Sequence, residues 1–296
     1  MSPSAASERA TRVAGYQSFM FPPSTHAPAP CSPGSVGGVK SVLWILLFLL
    51  GLSGVLMPVA YLYNASKLPQ LDSEFDVEKL LKHSIEGERM SLVVGLMVKP
   101  DRPITFTRPD FARLPKDLVA LYITQMGCPT YFQTPREDGV AWAWRLLVGV
   151  TVNARPGGDG RCERLLAARI ALKLGVNESL PLTVAINKVH ASLQKDQLIA
   201  YDLAIISFER GVVGVEDVAY KLFGKELDKL QLAELAELQL ALPPHNYYGA
   251  LKSCQNAAII KQNRDYMLTQ LIELDLLTEE RGRNAMAQPV TCMLRR

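Results

Sequence analysis

The chain has 296 residues, of which 48% are apolar, and its net charge is only +3. That length holds one large domain or two small ones with a sizeable core. So small a basic excess, with 7% aromatic residues, argues against a nucleic-acid partner.

Residues 1–40 are rich in Ser, Pro, Ala and Gly and lack apolar periodicity, which predicts a disordered tail. "SVLWILLFLLGLSGVLMPVAYLY", Ser41 to Tyr63, carries no charge. Its roughly 23 residues suffice to cross a ~30 Å hydrocarbon layer as a helix. A signal peptide has a shorter apolar core nearer the N-terminus. A buried core helix is rarely apolar on every side. The segment is therefore expected to be a single transmembrane helix with the bilayer as its partner. Arg9, Arg12 and Lys40 precede it against Glu8, whereas Lys67 is followed by Asp72, Glu74, Asp76 and Glu78. The positive-inside rule leaves the N-terminus in the cytoplasm. The expectation is a single-pass protein of the inner (cytoplasmic) membrane, with its main domain periplasmic or extracellular. Its parts are a tail (1–40), a span (41–63), a membrane-proximal segment (64–113) and a helical domain (114–296).

Cys31 lies in the tail. Cys128, Cys162, Cys254 and Cys292 all lie beyond the span, an even number in an oxidising space. Four cysteines allow three pairings, and spacing alone does not choose. Cys128–Cys162 with Cys254–Cys292 is the favoured set. The scattered histidines 26, 83, 190 and 245 give no metal-ligand spacing, so no metal site is expected.

Asp76–Val98 begins as a helix and ends as a candidate strand. Lys99–Pro115 is punctuated by proline and mostly extended. Helical patterning starts at Lys116–Met126 and continues through "VAWAWRLLVGVTVN". In "GRCERLLAARIALKLG", Leu166, Ala167, Ile170 and Leu174 mark one face and Arg161, Arg169 and Lys173 the other. Pro181–Phe208 gives one long helix or two. Gly214–Gly224 places Val215, Val218, Ala219 and Leu222 at i, i+3, i+4, i+7, with Gly224 set to stop the helix. Gln231–Leu242 ends at Pro243-Pro244, and Asn256–Leu277 is the last expected helix.

One stretch is not generic. Gln194–Tyr247 contains Lys195-Asp196, Leu198, Phe208, Gly211 and Gly214-Val215-Glu216. It goes on through Ala219, Phe223-Gly224-Lys225, Leu230, Leu232, Glu234, Ala236, Leu238, Leu242 and Pro243. That ordered series resembles the peptidoglycan glycosyltransferase domain, glycosyltransferase family 51, of class A penicillin-binding proteins and monofunctional transglycosylases. Fainter likeness extends from Asp101 to Glu280. The resemblance implies a mainly α, lysozyme-like glycosyltransferase domain behind a single N-terminal transmembrane helix. It also implies a lipid-linked peptidoglycan precursor and other cell-wall synthesis proteins as partners.

The resembling enzymes use a glutamate as general base on an acceptor sugar hydroxyl. A second glutamate and nearby cations manage the departing lipid pyrophosphate, with a divalent metal, Mg or Mn, in active members. The first glutamate's place falls at Gln125 or Met126, and the second's at or near Leu182. Gly157 and Gly158 match the glycines of the cleft-lining segment, with Arg161 and Arg164 following, but its hydroxyl and amide residues have become Asp159, Gly160, Cys162 and Glu163. A missing general base costs on the order of 10²–10⁴ in rate. The expected function is a catalytically degenerate member that acts by binding. The alternative is an active enzyme with relocated carboxylates, for which Glu137, Asp138 and Glu163 are the candidates.

Each feature has a plainer reading. Glu137-Asp138 also reads as a solvated loop pair. Arg161, Arg164, Arg169 and Lys173 suit lipid phosphates or simply the wet face of a helix. Trp142 and Trp144 suit a headgroup belt or a core. His190 reads as structural or exposed, Glu216 and Glu234 as caps or ion-pair partners. Gly211 and Gly214 read as a tight turn between helices.

Overall fold

A computed structural model describes residues 37–96, 106, 108–136, 160–176, 179–208, 212–243 and 245–291. Helix α1, Gly37–Lys67, encloses the uncharged run. Among the described residues no helix is long and apolar enough to cross a membrane. The chain divides into two units, 1–54 and 55–296. In the first, Trp44, Ile45, Leu47, Phe48 and Leu52 stand exposed on α1.

The second unit is helical. Helix α2, Glu74–Leu96, starts at a reciprocal cap: Ser73 N donates to Asp76 Oδ2 (3.1 Å) and Asp76 N to Ser73 Oγ (3.3 Å). Val77, Leu81 and Ile85, four apart, form its buried stripe. The strand expected towards Val98 is instead helix as far as Leu96. The β-branched Val93 and Val94 in this stretch lower helix propensity only slightly. Ser84 Oγ reaches Lys173 O (2.9 Å), so α2 is fastened to the helices that follow.

A 3₁₀ turn, Phe111–Arg113, leads into α3, Lys116–Gln125. Leu118, Val119, Leu121, Tyr122 and Ile123 are buried. Gly127, at φ +74°, ends the helix, and Cys128 N donates back to Ile123 O (2.9 Å). Helices α4 (Gly160–Lys173), α5 (Ser179–Ser192) and α6 (Lys195–Ile205) pack together. The Pro181–Phe208 stretch is thus two helices. The break is enforced at Gln194, whose side chain and that of Gln197 cap α6 reciprocally.

A short antiparallel bridge joins Ser207 and Val213, the one β pairing among the described residues. Gly214 follows at φ +86°, and a Cβ there would stand 2.7 Å from Ala204 O. Only glycine fits that close approach. Helix α7, Val215–Phe223, ends at Gly224 in the left-handed conformation. Its Val215, Val218, Ala219 and Leu222 are buried, as their spacing requires.

Helix α8, Leu232–Ala241, is the axis of the unit. Residues Ala233 to Ala241 are all buried, and α3 and α7 pack around it. So do α9 (Tyr248–Ser253), α10 (Ala257–Glu273) and α11 (Glu279–Ala287). Besides its apolar residues α8 buries Glu234, Glu237 and Gln239, and the two glutamates are held by Lys225 and Arg264. α9 and α11 were not expected. Each is short, and the nine residues of α11 are largely polar, so neither carries a clear periodic signal. Fully buried Arg264 of α10 ties the far end down. It donates to Glu237 Oε1 (2.8 Å) and to the carbonyls of Met286 (3.3 Å), Gln288 (2.7 Å) and Pro289 (3.3 Å).

Candidate active site

Gln125 is the last residue of α3, and Met126 caps that helix and packs partly against the core. Among the described residues neither is hydrogen-bonded to a carboxylate. What meets Gln125 is His245, from the turn after α8: the Gln125 Nε2 and His245 Nε2 atoms are in hydrogen-bond contact. Burial holds the imidazole below its ordinary value of 6.5. A shallow depression beside it is lined by Leu121, Thr124, Gln125, Met267, Gln270 and Leu271. Leu182, in the second glutamate's place, is partly buried against the core and offers no charge.

Glu163, a candidate replacement, is fully buried in the first turn of α4. Its Oε2 meets His190 Nε2 at 2.8 Å, and Lys195 Nζ stands 3.0 Å from Oε1. Burial raises its carboxyl, but hydrogen bonds and charge from His190 and Lys195 outweigh that, and it is held below its ordinary range. Lys195 Nζ also donates to the carbonyls of Tyr131 and Thr134, each at 2.6 Å. Glu163 is thus a carboxylate turned inward as the counter-ion of α6. His190, expected as structural or exposed, is the buried member of this cluster.

The wet basic face is corrected. Arg161 is exposed, but Arg169 pairs with fully buried Asp202 (3.0 Å) and donates to Tyr122 Oη (2.9 Å). Burial raises Asp202 despite Arg169 and the Tyr122 hydroxyl, and it raises Tyr122 too, with Asp202 adding to the effect. Lys173 is paired with Glu88 and donates to Ser207 Oγ (2.7 Å). Arg164 Nη1 donates to Asn187 Oδ1 (3.2 Å), tying α4 to α5. Glu234 does cap α8 and pairs with Lys225 (2.7 Å), while Glu216 is exposed.

Cys128 and Cys162 are joined by a disulfide, which links the segment after Gln125 and Met126 to the start of α4. Cys254 is also disulfide-bonded. Cys292, Glu137, Asp138, Trp142, Trp144, Gly157, Gly158 and Gly211 lie outside the described residues, as do residues 1–36. Among the described residues no three His, Cys, Asp or Glu side chains are grouped to hold a metal ion. Two participants escaped the sequence reading. His245 stands after two prolines without any periodic signal, and Lys195 read only as a matched motif residue.

Residues 180–272 match the family model described as transglycosylase. Penicillin-binding protein 1A of Rickettsia conorii is 31% identical over 126 residues, which is 43% of this chain and 15% of that protein. The chain carries a peptidoglycan glycosyltransferase-like domain. Penicillin-binding protein 1A of Rickettsia bellii is 29% identical over 127 residues, again 43% of this chain and 15% of the relative. These matches therefore span about 15% of the relatives' own length. The matched interval of the transglycosylase-like domain runs from α5 into α10 and holds Lys195, Glu237 and His245.

Proposed function

We propose that this chain acts in cell-wall synthesis as a membrane-anchored, catalytically degenerate transglycosylase-like protein. It works by binding lipid-linked peptidoglycan precursor or other synthesis proteins. The observation that carries the reading is the pair of neutral residues, Gln125 and Leu182, where the resemblance calls for glutamates. The inward position of Glu163 supports it, because a general base must come within about 3 Å of the proton it removes. Its anchor is α1, lodged in the inner membrane with the N-terminus cytoplasmic and the helical domain periplasmic or extracellular. Large apolar side chains open to solvent along α1, Trp44 at 73% and Phe48 at 68%, support that placement.

The second reading is polymerisation of lipid-linked disaccharide by a relocated carboxylate, and Glu137 and Asp138 keep it alive. Purified chain given the precursor with Mg²⁺ or Mn²⁺ separates the two. The expected result is binding, with no polymer that depends on Glu137, Asp138 or Glu163. Polymer formation abolished by Glu137→Gln or Glu163→Gln would reverse the assignment.

A further inference from the structure

Helix α2 has a side that the fold leaves uncovered. Val77, Leu81 and Ile85 are buried, and on the other side Phe75, Lys79, Lys82 and His83 are exposed. Their spacing, i, i+4, i+7 and i+8, sets them in one stripe. Phe75, in the first turn, is 70% open to solvent. Among the described residues Lys79 and Lys82 have neither an ion pair nor a hydrogen bond.

The carboxylates of α2 are engaged elsewhere. Glu74 pairs with Arg108, whose Nε also stands 4.0 Å from Glu78 Oε2. Asp76 caps the helix, and Glu88 pairs with Lys173. Glu86, the next residue along the stripe, accepts Phe106 N (3.1 Å) and closes it. What faces outward over the first turns is an aromatic ring beside two free ammonium groups.

Chain length limits where this face can lie. Tyr61 and Tyr63 are exposed near the end of α1, and Lys67 stands over the Tyr63 ring at 4.2 Å. Such residues suit headgroup depth. Residues 68–73 join α1 to α2 and span at most about 25 Å, so α2 starts within reach of a bilayer that holds α1. The connection is tied to the helical domain. Leu71 is fully buried, its carbonyl accepts from Ser192 Oγ (2.5 Å), and Asp72 pairs with Lys188 (2.9 Å).

We propose that the Phe75, Lys79 and Lys82 face of α2 docks on the bilayer surface, with anionic phospholipid headgroups as its partner. This rests on the reading of α1 as a membrane anchor. The lysines meet lipid phosphates, each worth about fivefold in occupancy within a Debye length of about 10 Å. Phe75 enters the interfacial layer beside them. Charge complementarity selects an anionic lipid over a neutral one. The contact seats the helical domain at the surface in which the lipid of a lipid-linked precursor is embedded.

The test uses the full chain in nanodiscs of phosphatidylcholine, with or without phosphatidylglycerol. Amine acylation, read at each lysine by mass spectrometry, reports which side chains the lipid covers. Lys79 and Lys82 should react about 10-fold more slowly when phosphatidylglycerol is present. Lys229, 72% exposed, should react equally in both. Salt at about 1 M, which shortens the screening length to about 3 Å, should remove the difference. Phe75→Ala should remove most of it, with Tm unchanged. Equal reactivity of Lys79 and Lys82 in the two lipids overturns the proposal and leaves the anchor in place. So does protection that arises only when cell-wall synthesis proteins are added, which would give the face to a protein. A chain that enters neither nanodisc overturns the anchor as well.

Discussion

Glu163 Oε1 lies 3.0 Å from Lys195 Nζ, and neither side chain is more than 15% exposed. The pair joins α4 to α6 and fills a position that the resemblance gives to a neutral amide. Removing one partner of a buried ion pair strands the other charge, at a cost of about 3–5 kcal/mol. Glu163→Gln should fall at the lower end, because Lys195 keeps the Tyr131 and Thr134 carbonyls. The carboxyl is held below its ordinary 4.5. Its stabilisation is therefore complete above that value and is lost as pH falls through the folded value. Urea unfolding should show the full deficit at pH 7 and a shrinking one as pH falls below 4.5 and through the lowered folded value. An equal deficit at both would deny the ion pair its role.

The disulfide is the next test. Cys128 and Cys162 are separated by 34 positions, and the bond restricts that loop in the unfolded chain. Loop-closure entropy puts its worth at about 3–4 kcal/mol. Replacing both cysteines with serine should lower the urea midpoint accordingly, with unchanged far-UV circular dichroism. A variant as stable as the parent would show that the bond constrains nothing.

Gly214 and Gly224 both have positive φ, +86° and +66°, but only Gly224 is in the left-handed helical conformation; Gly214 has ψ 156°. A positive-φ backbone of either kind costs a non-glycine residue about 1–3 kcal/mol. Nothing lies within 4 Å of a Cβ at Gly224, but Ala204 O would be 2.7 Å from one at Gly214. Gly224→Ala should show the backbone cost alone, and Gly214→Ala that cost plus displacement of α6 from α7. Equal Tm losses would contradict the close approach.

The sequence was informative where one short segment contains its own signal. The four apolar positions of α7 and the glycine that ends it were readable because the i, i+3, i+4, i+7 pattern is local. Leu166, Ala167 and Ile170 of α4 were placed on the core side for the same reason. Arg169 and Lys173 were misread because their partners come from elsewhere: Asp202 is 33 residues away and Glu88 is 85. A charged residue looks solvent-facing until the fold supplies its counter-ion. His245 was invisible in the same way, since its meaning comes from Gln125, 120 residues earlier.

Arg264 makes the most exacting demand on the fold. It is fully buried on α10, and its guanidinium holds Glu237 together with the Met286, Gln288 and Pro289 carbonyls. Glu237 in turn accepts Thr291 N at 3.0 Å on Oε2. Burial raises the Glu237 carboxyl above its ordinary 4.5, although Thr291 and Arg264 oppose the shift. Arg264→Met removes the cation and the donor that holds the Met286, Gln288 and Pro289 carbonyls, so Glu237 should rise further and take up a proton. The loss should be about 3–5 kcal/mol at pH 7. A raised carboxyl contributes fully below its unfolded value and less as pH climbs through the folded one, so the variant should recover towards pH 4. Hydrogen exchange across residues 286–291 should quicken before the remainder of α10 opens. A variant equally impaired at pH 4 and pH 7, with that segment still protected, would place the cost in packing instead of in the buried charge.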